Sequence, residues 1–332
     1  MRTLGRALAV LFVVAAFALA AGAYALRRTL YTDRTYPLAP ATVVVPAGST
    51  GHDVATLLAR RGIIGARLPF ELLARLKREQ SSMKAGEFRF AAHRTPAEVL
   101  AQIVSGGEQV ATWVTIPEGF TATEIADALA AQRLGRATAL RAAFLHGSLV
   151  LDGTRTPSLE GYLFPDTYLV PLAAGPAAIA KIMTDEFRAQ LPPDAAARAK
   201  RYGLTVPQVV TLASLVEREA KADDERALMA GVYYNRLRLH MPLEVDATIE
   251  YTFAHHKDVI TYADLRRDSP YNTYEHAGLP PTPIANPGRP SLLAAFHPQP
   301  SPYLYYVYKG NGHSAFARTL SEHNANVARY LH

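Results

Sequence analysis

The sequence contains no cysteine among its 332 residues. This excludes disulfide bonds, thiolate metal sites and cysteine nucleophiles, although it does not identify the compartment. The formal net charge of +6 comes mostly from scattered arginines, without any long run of like charges. We therefore expect no nucleic-acid partner, and only a mild attraction to anionic surfaces or polymers.

Several catalytic motifs are missing or incomplete. There is no G-x-S-x-G, no Walker loop and no G-x-G-x-x-G after a strand. Ser81-Ser82-Met83-Lys84 matches the S-x-x-K of penicillin-binding enzymes, but the S-D-N and K-T-G partners do not occur. His255-His256 belongs to no H-E-x-x-H, and adjacent residues cannot share a helix face. We expect neither a metal site nor a cofactor.

The most apolar stretch lies near the N-terminus. Residues 7–26 form a charge-free run long enough to cross a bilayer. A cleavable signal peptide is the alternative, because Ala23-Tyr24-Ala25 offers an A-x-A site, but the run is longer than a usual signal core. We predict a cytoplasmic tail (1–6), a transmembrane anchor (7–26) and a linker (27–41), with the remainder outside the cytoplasmic membrane.

A small α+β pattern follows over residues 42–110. Thr42–Val45 is β-branched and strand-like, and Phe88 and Phe90 alternate as in a half-buried strand. Two apolar-periodic helices lie between these strands, and Thr95 begins a capping box that opens a third helix. The order of strand, helix, helix and strand resembles a LysM-like module, a type that binds N-acetylglucosamine polymers. A structural spacer is the alternative.

The stretch Thr205–Ala220 predicts a helix with an unusual acid. Thr205 and Gln208 form a capping box. At about 100° per residue, Glu219 shares the apolar face of the helix, whereas Glu217 points about 130° away. A carboxyl on a buried face is desolvated, which raises its pKa and suits a general acid, although a structural ion pair is an equal alternative.

Polar residues after this helix indicate where a site could be completed. In the helix predicted for Asp223–Leu239, Asn235 and Arg236 lie close to the apolar face and need partners. They could complete a site around Glu219 or pair with carboxylates in the core. The irregular stretch Ser269–Gly288, rich in Tyr, Asn, Pro and Gly, is more typical of a binding loop than of a core connector.

Read together, these residues resemble the YceG-like endolytic murein transglycosylases (the MltG family) over nearly the whole chain. The matching strings occur in the family's order: ASLVERE (213–219), YYNRL (233–237), SPYNTY (269–274), GLPPTPIANPG (278–288), YLYYV (303–307) and EHN (322–324). The sequence departs from the family pattern at Ala247, where Pro is common, and at Thr282, where Gly is usual. Both departures affect loop shape and put little in doubt.

The resemblance implies an α+β fold in three parts. These are an N-terminal transmembrane helix, a small LysM-like α+β module (42–110) and a larger mixed α/β catalytic domain (111–332) with a lysozyme-like catalytic helix. It also implies a single-pass protein of the cell inner membrane, with its catalytic domain on the periplasmic side. The implied partners are peptidoglycan glycan strands and peptidoglycan synthases.

By the same resemblance, Glu219 is the catalytic residue. It would cleave the bond between N-acetylmuramic acid and N-acetylglucosamine inside strands and leave 1,6-anhydro ends. Asn235, Asn272 and Tyr274 are candidates for holding the sugar. Two alternatives stay open, a non-catalytic glycan-binding scaffold and a hydrolytic muramidase. The muramidase would need a second carboxylate, for which the candidates are Glu217, Glu244 and Asp246.

Overall fold

The computed structural model describes residues 2–46, 48–106, 111–253, 257 and 260–331, and His255-His256 lies outside them. The fold is a mixed α+β arrangement, as predicted. The chain divides into two compact units, one of Met1–Trp113 with Leu169–Gly175 and one of Val114–Tyr168 with Pro176–His332. Strands β3 (Ala111–Thr115) and β6 (Thr167–Pro171) pair in a two-stranded sheet.

The first unit contains a long helix and a compact layer of helices on one two-stranded sheet. Its elements are α1 (Arg2–Tyr31), β1 (Ala41–Val45), α2 (Gly51–Arg60), α3 (Arg67–Leu76), β2 (Gly86–Phe90) and α4 (Pro96–Ser105). Strand β1 runs antiparallel to β2, with Ala41 opposite Phe90 and Val45 opposite Gly86. The predicted order is confirmed, and so is the Thr95 capping box that opens α4.

Helix α1 contains an apolar segment with the dimensions of a membrane span. Within the described residues, Leu11–Tyr31 is the one helix segment long and apolar enough to cross a bilayer, with a mean hydropathy of 1.5. None of its most apolar window is buried in the protein. Leu30, near the end of the helix, is buried in the core of the first unit, so the helix is packed onto that unit at its C-terminal end.

The second unit is mainly helical, with short strand pairs at its surface. Its further elements are α5 (Ala122–Ala131), α6 (Ala137–Leu145), β4 (Val150–Leu151), β5 (Thr154–Arg155), α7 (Pro176–Gln190), α8 (Ala195–Arg201), α9 (Val206–Glu219), α10 (Arg226–Arg238), α11 (Asp246–Glu250), α12 (Arg289–Phe296), β7 (Tyr305–Tyr308), β8 (Ser314–Ala317) and α13 (Leu320–Tyr330). Strands β4 and β5 pair antiparallel, as do β7 and β8.

Helix α9 is the centre of this unit. Its predicted capping box is present, because Thr205 accepts a hydrogen bond from the backbone of Gln208 and the Gln208 side chain accepts one in return. Helices α8, α10, α11 and α12 pack around it, and every residue from 209 to 216 is buried. The prediction of one buried face was therefore wrong. The side chain of Glu217, expected to face away from the core, is only 6% exposed.

The stretch Ser269–Gly288 is irregular, as predicted, but much of it is core. Asn286 is fully buried and bonds to Phe120 and to the backbone of Leu163. Gly161 packs so tightly against this stretch that a Cβ there would lie 2.4 Å from the Pro283 side chain. Its φ of +88° also favours glycine. Buried amides satisfy the irregular backbone, so this segment can serve as a core connector, contrary to expectation.

Candidate active site

Glu219 is the last residue of α9, where the chain turns into an extended conformation at Ala220. Its side chain is partly exposed. The Tyr306 hydroxyl, on β7, donates to Glu219 Oε2 at 3.1 Å. The Tyr233 hydroxyl, on α10, lies 2.8 Å from that of Tyr306. Since Tyr306 has one hydroxyl hydrogen and donates it to the carboxylate, Tyr233 must donate to Tyr306.

The surroundings of Glu219 favour its protonated form. Burial raises the pKa of this carboxyl above its usual value, and the nearby charge of Asp246 raises it further. The hydrogen bond from Tyr306, the charge of Lys221 and the backbone N–H of Ala247 oppose the shift without cancelling it. Burial also raises the pKa of Tyr306 and Tyr233 well above the ordinary value, so both remain neutral donors.

A second carboxylate, Asp246, lies in the same site. It is the first residue of α11, it is exposed, and its Oδ1 accepts a hydrogen bond from the Tyr274 hydroxyl at 2.5 Å. An ion pair between Arg218 and Glu250, at 2.8 Å, ties α11 to the end of α9. Of the three candidates for a second carboxylate, Asp246 is therefore the one whose charge acts on Glu219.

Asn235 and Arg236 hold the segment that carries Tyr306. The Asn235 amide donates to the carbonyls of Ser301 and Tyr303, at 2.8 and 3.0 Å. The Arg236 guanidinium donates to the Leu304 carbonyl at 2.6 Å and to Glu244 at 2.7 Å. The partners predicted for these two residues are therefore mostly backbone carbonyls. This geometry favours a positioning role for Asn235 rather than direct contact with a sugar, because both of its amide hydrogens are used.

Asn272 is likewise a buried organiser of its loop. Its amide donates to the carbonyls of Leu265 and Arg267, at 2.9 and 2.8 Å. Its Oδ1 accepts from the backbone N–H groups of Tyr274 and Glu275, at 2.9 and 3.4 Å. These four bonds use the full capacity of an asparagine amide. The sugar-binding role predicted for Asn272 is not supported, whereas its bonds place Tyr274 beside Asp246.

Glu217 belongs to a separate buried cluster. Its Oε1 lies 3.4 Å from Arg226 Nη1, and its Oε2 accepts the Gly288 N–H at 3.0 Å. Arg226 also pairs with Asp223 at 2.9 Å. Burial, and then the charge of Glu217, raise the pKa of nearby Glu118. Glu217 is therefore a structural anchor for the end of α9 and for the Gly288 turn.

Glu160 is a buried acid that sequence reasoning missed. It is 1% exposed, and its carboxylate accepts from the Ala122 N–H at 2.9 Å, the Asn286 amide at 3.1 Å and the Tyr251 hydroxyl at 3.3 Å. Burial raises its pKa to about 8. It joins the start of α5 to two later loops. No periodicity identifies an isolated acid in an irregular stretch.

The tyrosines that contact or support Glu219 were also missed as site residues. Both lie in strings that carry the resemblance, YYNRL for Tyr233 and YLYYV for Tyr306. Their hydroxyls come together only because β7 returns to the end of α9 after 87 residues. The strings could have indicated them, but neither local spacing nor helix periodicity could.

A partly exposed carboxyl at a helix end, hydrogen-bonded by a tyrosine and with a second acid beside it, is an arrangement that glycosidases can use. The chain belongs to the YceG-like family, whose model matches residues 43–329. It is 32% identical over 313 residues to the endolytic murein transglycosylase of Bacillus subtilis, covering 86% of this chain and 84% of that protein. It is 30% identical over 325 residues to the protein of the same name from Streptococcus pneumoniae, of which it spans 58%.

A solved structure agrees with this assignment. The crystal structure of a yceG-like protein from Listeria monocytogenes is 29% identical in sequence, with a TM-score of 0.58. The match covers 86% of this chain and 98% of the Listeria chain. The likeness therefore extends over most of this chain.

Proposed function

We propose that this protein is a membrane-anchored endolytic murein transglycosylase in which Glu219 is the general acid and base. The observation that carries the proposal is the Glu219 carboxyl itself, partly exposed at the end of α9, with a raised pKa and a hydrogen bond from Tyr306. The names of the relatives from Bacillus and Streptococcus support the reaction class. Glycan strands of peptidoglycan are the proposed substrate.

The reaction needs only one proton carrier. The protonated Glu219 gives its proton to the glycosidic oxygen as the bond from that oxygen to C1 of N-acetylmuramic acid breaks. The C6 hydroxyl oxygen of the same sugar then bonds to C1, and its proton passes to the Glu219 carboxylate. The products are a 1,6-anhydromuramyl end and a free C4 hydroxyl on N-acetylglucosamine. The acid is regenerated and no water is consumed.

Tyr306 orients the carboxyl group of Glu219. Because Oε2 accepts the Tyr306 hydrogen bond, the acidic proton is placed on Oε1. Tyr233 keeps the Tyr306 hydroxyl oriented, since it donates to it from within the core. The neighbouring Asp246 has two effects in the cycle, because its charge adds to burial in raising the pKa of Glu219 and stabilises positive charge that develops at C1. Tyr274 fixes the Asp246 carboxylate.

The presence of Asp246 also supports a second candidate function, hydrolysis with Asp246 as the second carboxylate. Mass spectrometry of early products in heavy-oxygen water separates the two reactions. Transglycosylation gives anhydro ends that are lighter by one water than hydrolytic ends and carry no heavy oxygen. An endolytic enzyme should also produce cuts inside long strands. Labelled reducing ends would instead establish a muramidase. A scaffold without turnover, the third alternative, would give neither product from purified strands.

The remaining organisation of the chain is part of the same proposal. Residues 7–26 anchor the protein in the cell inner membrane, with residues 1–6 in the cytoplasm and 27–41 as a linker. Residues 42–110 form a LysM-like module that binds glycan. Residues 111–332 form the catalytic domain on the periplasmic side, in which α9 serves as a lysozyme-like catalytic helix. Peptidoglycan synthases are proposed partners, since an anchored endolytic enzyme would act on strands near the membrane.

A further inference from the structure

The second unit contains a cavity that none of the chemistry above uses. It has a volume of about 560 Å³, which lies within the usual range of ligand sites. Its walls include two tyrosines, Tyr202 and Tyr234, whose rings are tilted with centroids 4.4 Å apart. Pro298 and Pro300 contribute further apolar surface. The cavity therefore offers aromatic and aliphatic walls to a ligand of a few residues.

Two arginines give the cavity a positive rim. Arg201 ends α8 and Arg238 ends α10. Among the described residues, no carboxylate lies within 4.0 Å of either guanidinium. The neighbouring arginines are different, since Arg198 pairs with Asp194 at 2.7 Å and Arg236 with Glu244 at 2.7 Å. A planar carboxylate is the group that a guanidinium binds best.

The cavity is preformed, because its walls are fixed to α10. Gly231 packs so closely against the far wall that a Cβ there would lie 2.3 Å from the Gln299 carbonyl oxygen. The Gln299 N–H donates to the Ala227 carbonyl at 2.8 Å, and Asn235 holds the Ser301 carbonyl at the same distance. The same segment continues into β7 and Tyr306. One face of α10 therefore borders the cavity while Tyr233, on another face, supports Glu219.

We propose that this cavity binds the carboxylate-bearing stem peptide of a murein strand. The inference rests on the proposed function, because it takes murein as the substrate. Stem peptides combine free carboxylates with small apolar side chains. The carboxylates match the two arginines of the rim, and the apolar side chains match the walls formed by the tyrosines and prolines. An extended peptide of about four or five residues spans about 13–18 Å, and a helix is about 10–12 Å across. The length of such a peptide therefore exceeds the width of α10, the helix that carries both Tyr233 and one wall of the cavity.

The test compares two ligands on the full-length protein in detergent. The Glu219→Gln background prevents cleavage during the measurement. The ligands are strand fragments from one preparation, either bearing their peptides or stripped of them by an amidase. We expect Arg201→Gln/Arg238→Gln to weaken binding of the peptide-bearing fragments about tenfold, more at low salt than at high salt. The matched control is Lys200→Gln, which removes a charge from the same turn of α8 without lining the cavity.

The outcomes separate the cavity from the active site. A loss confined to peptide-bearing fragments supports the proposal, and competition by free stem peptide would show that the peptide is bound without its sugar. The proposal is overturned if the parent and the double variant bind the peptide-bearing fragments equally well. It is also overturned if the double variant loses affinity equally for both ligands, or if Lys200→Gln weakens binding as much as the double substitution does. Turnover of both kinds of strand by the unsubstituted protein is measured in parallel. Absence of anhydro products from both would contradict the proposed function, while the binding comparison would still decide the role of the cavity.

Discussion

Tyr306 donates a hydrogen bond to Oε2 of Glu219 at 3.1 Å, although 87 residues separate them in the chain. This bond favours the charged form of the carboxyl and therefore limits the rise in its pKa. It also leaves Oε1 as the oxygen on which the proposed mechanism places the acidic proton. The Tyr306 hydroxyl therefore affects both the pKa of Glu219 and the orientation of its carboxyl group. Substitution by Phe removes this hydroxyl without changing the shape of the ring.

We expect Tyr306→Phe to shift the pH dependence of turnover. Loss of the bond raises the pKa of Glu219 further, so the fall in kcat/KM on the alkaline side should move to higher pH. The maximal rate should fall about tenfold, since the acid loses its orientation. Tyr233→Phe is the control, because it leaves the bond to Glu219 in place. A shift to lower pH, or equal shifts in both variants, would contradict the assignment.

Asp246→Asn should act in the opposite direction. Removing its charge lowers the pKa of Glu219, so the alkaline fall in kcat/KM should move to lower pH. Glu244→Gln removes a charge that is paired with Arg236, and no shift is expected from it. The products of Asp246→Asn should still be anhydro ends. If the parent incorporates heavy oxygen and Asp246→Asn does not, Asp246 is the second carboxylate of a hydrolase.

The outcome for these residues shows how far local rules reach. Capping boxes depend on residues three apart, which is why Thr95 and Thr205 were correctly predicted as helix starts. The placement of Glu217 failed because the rule of one apolar face assumes a helix at the surface. Four helices enclose α9, and one of them, α12, comes from a distant part of the chain. Side-chain contacts such as that of Tyr306 with Glu219 depend on this packing of helices and strands. The periodicity of apolar residues along the sequence does not predict such packing.

The two acids of V-E-R-E should respond differently to amide substitution. Glu219→Gln is expected to abolish turnover and to change the free energy of unfolding by no more than about 1–2 kcal/mol. Sequence reasoning alone predicts little effect of Glu217→Gln. The structure changes that expectation to a loss of about 1–3 kcal/mol, because buried Arg226 loses one of its carboxylates. The Glu217→Gln variant should still turn over substrate at temperatures below its melting temperature.

Thermal melts and product assays on the same samples distinguish these effects. A Glu219→Gln protein that fails to fold would indicate a structural ion pair instead of a catalytic acid. A Glu217→Gln protein that is folded but inactive would place Glu217 in the reaction. Both substitutions keep the size of the side chain, so cavity formation does not confuse the comparison.

The N-terminal helix makes a prediction about the mature protein. If residues 7–26 are an anchor, the intact mass of the protein extracted from membranes should include Met1–Leu26. The apolar length of the Leu11–Tyr31 segment favours this outcome. A mature N-terminus at Leu26 would instead show that a signal peptidase cleaves after Ala23-Tyr24-Ala25.

Glu160 should make the stability of the second unit depend on pH. Its pKa is raised from 4.5 to about 8, so the folded state holds a proton that the unfolded state releases above pH 4.5. Its contribution to stability is therefore complete at low pH, decreases from pH 4.5 upward and is lost as the pH passes about 8. One unit of pKa corresponds to about 1.4 kcal/mol, so the total change is a few kcal/mol.

Glu160→Gln should remove most of this slope. The amide resembles the protonated acid, because its oxygen can accept from Ala122 and Asn286 while its NH₂ group donates to the Tyr251 hydroxyl. Urea unfolding at a series of pH values between 5 and 9, roughly the window in which the acid releases its proton, measures the slope directly. We expect parent and variant to be similar in stability near the acid end and the variant to be the more stable near the alkaline end. Equal slopes would mean that Glu160 is ionised throughout, held by its three donors.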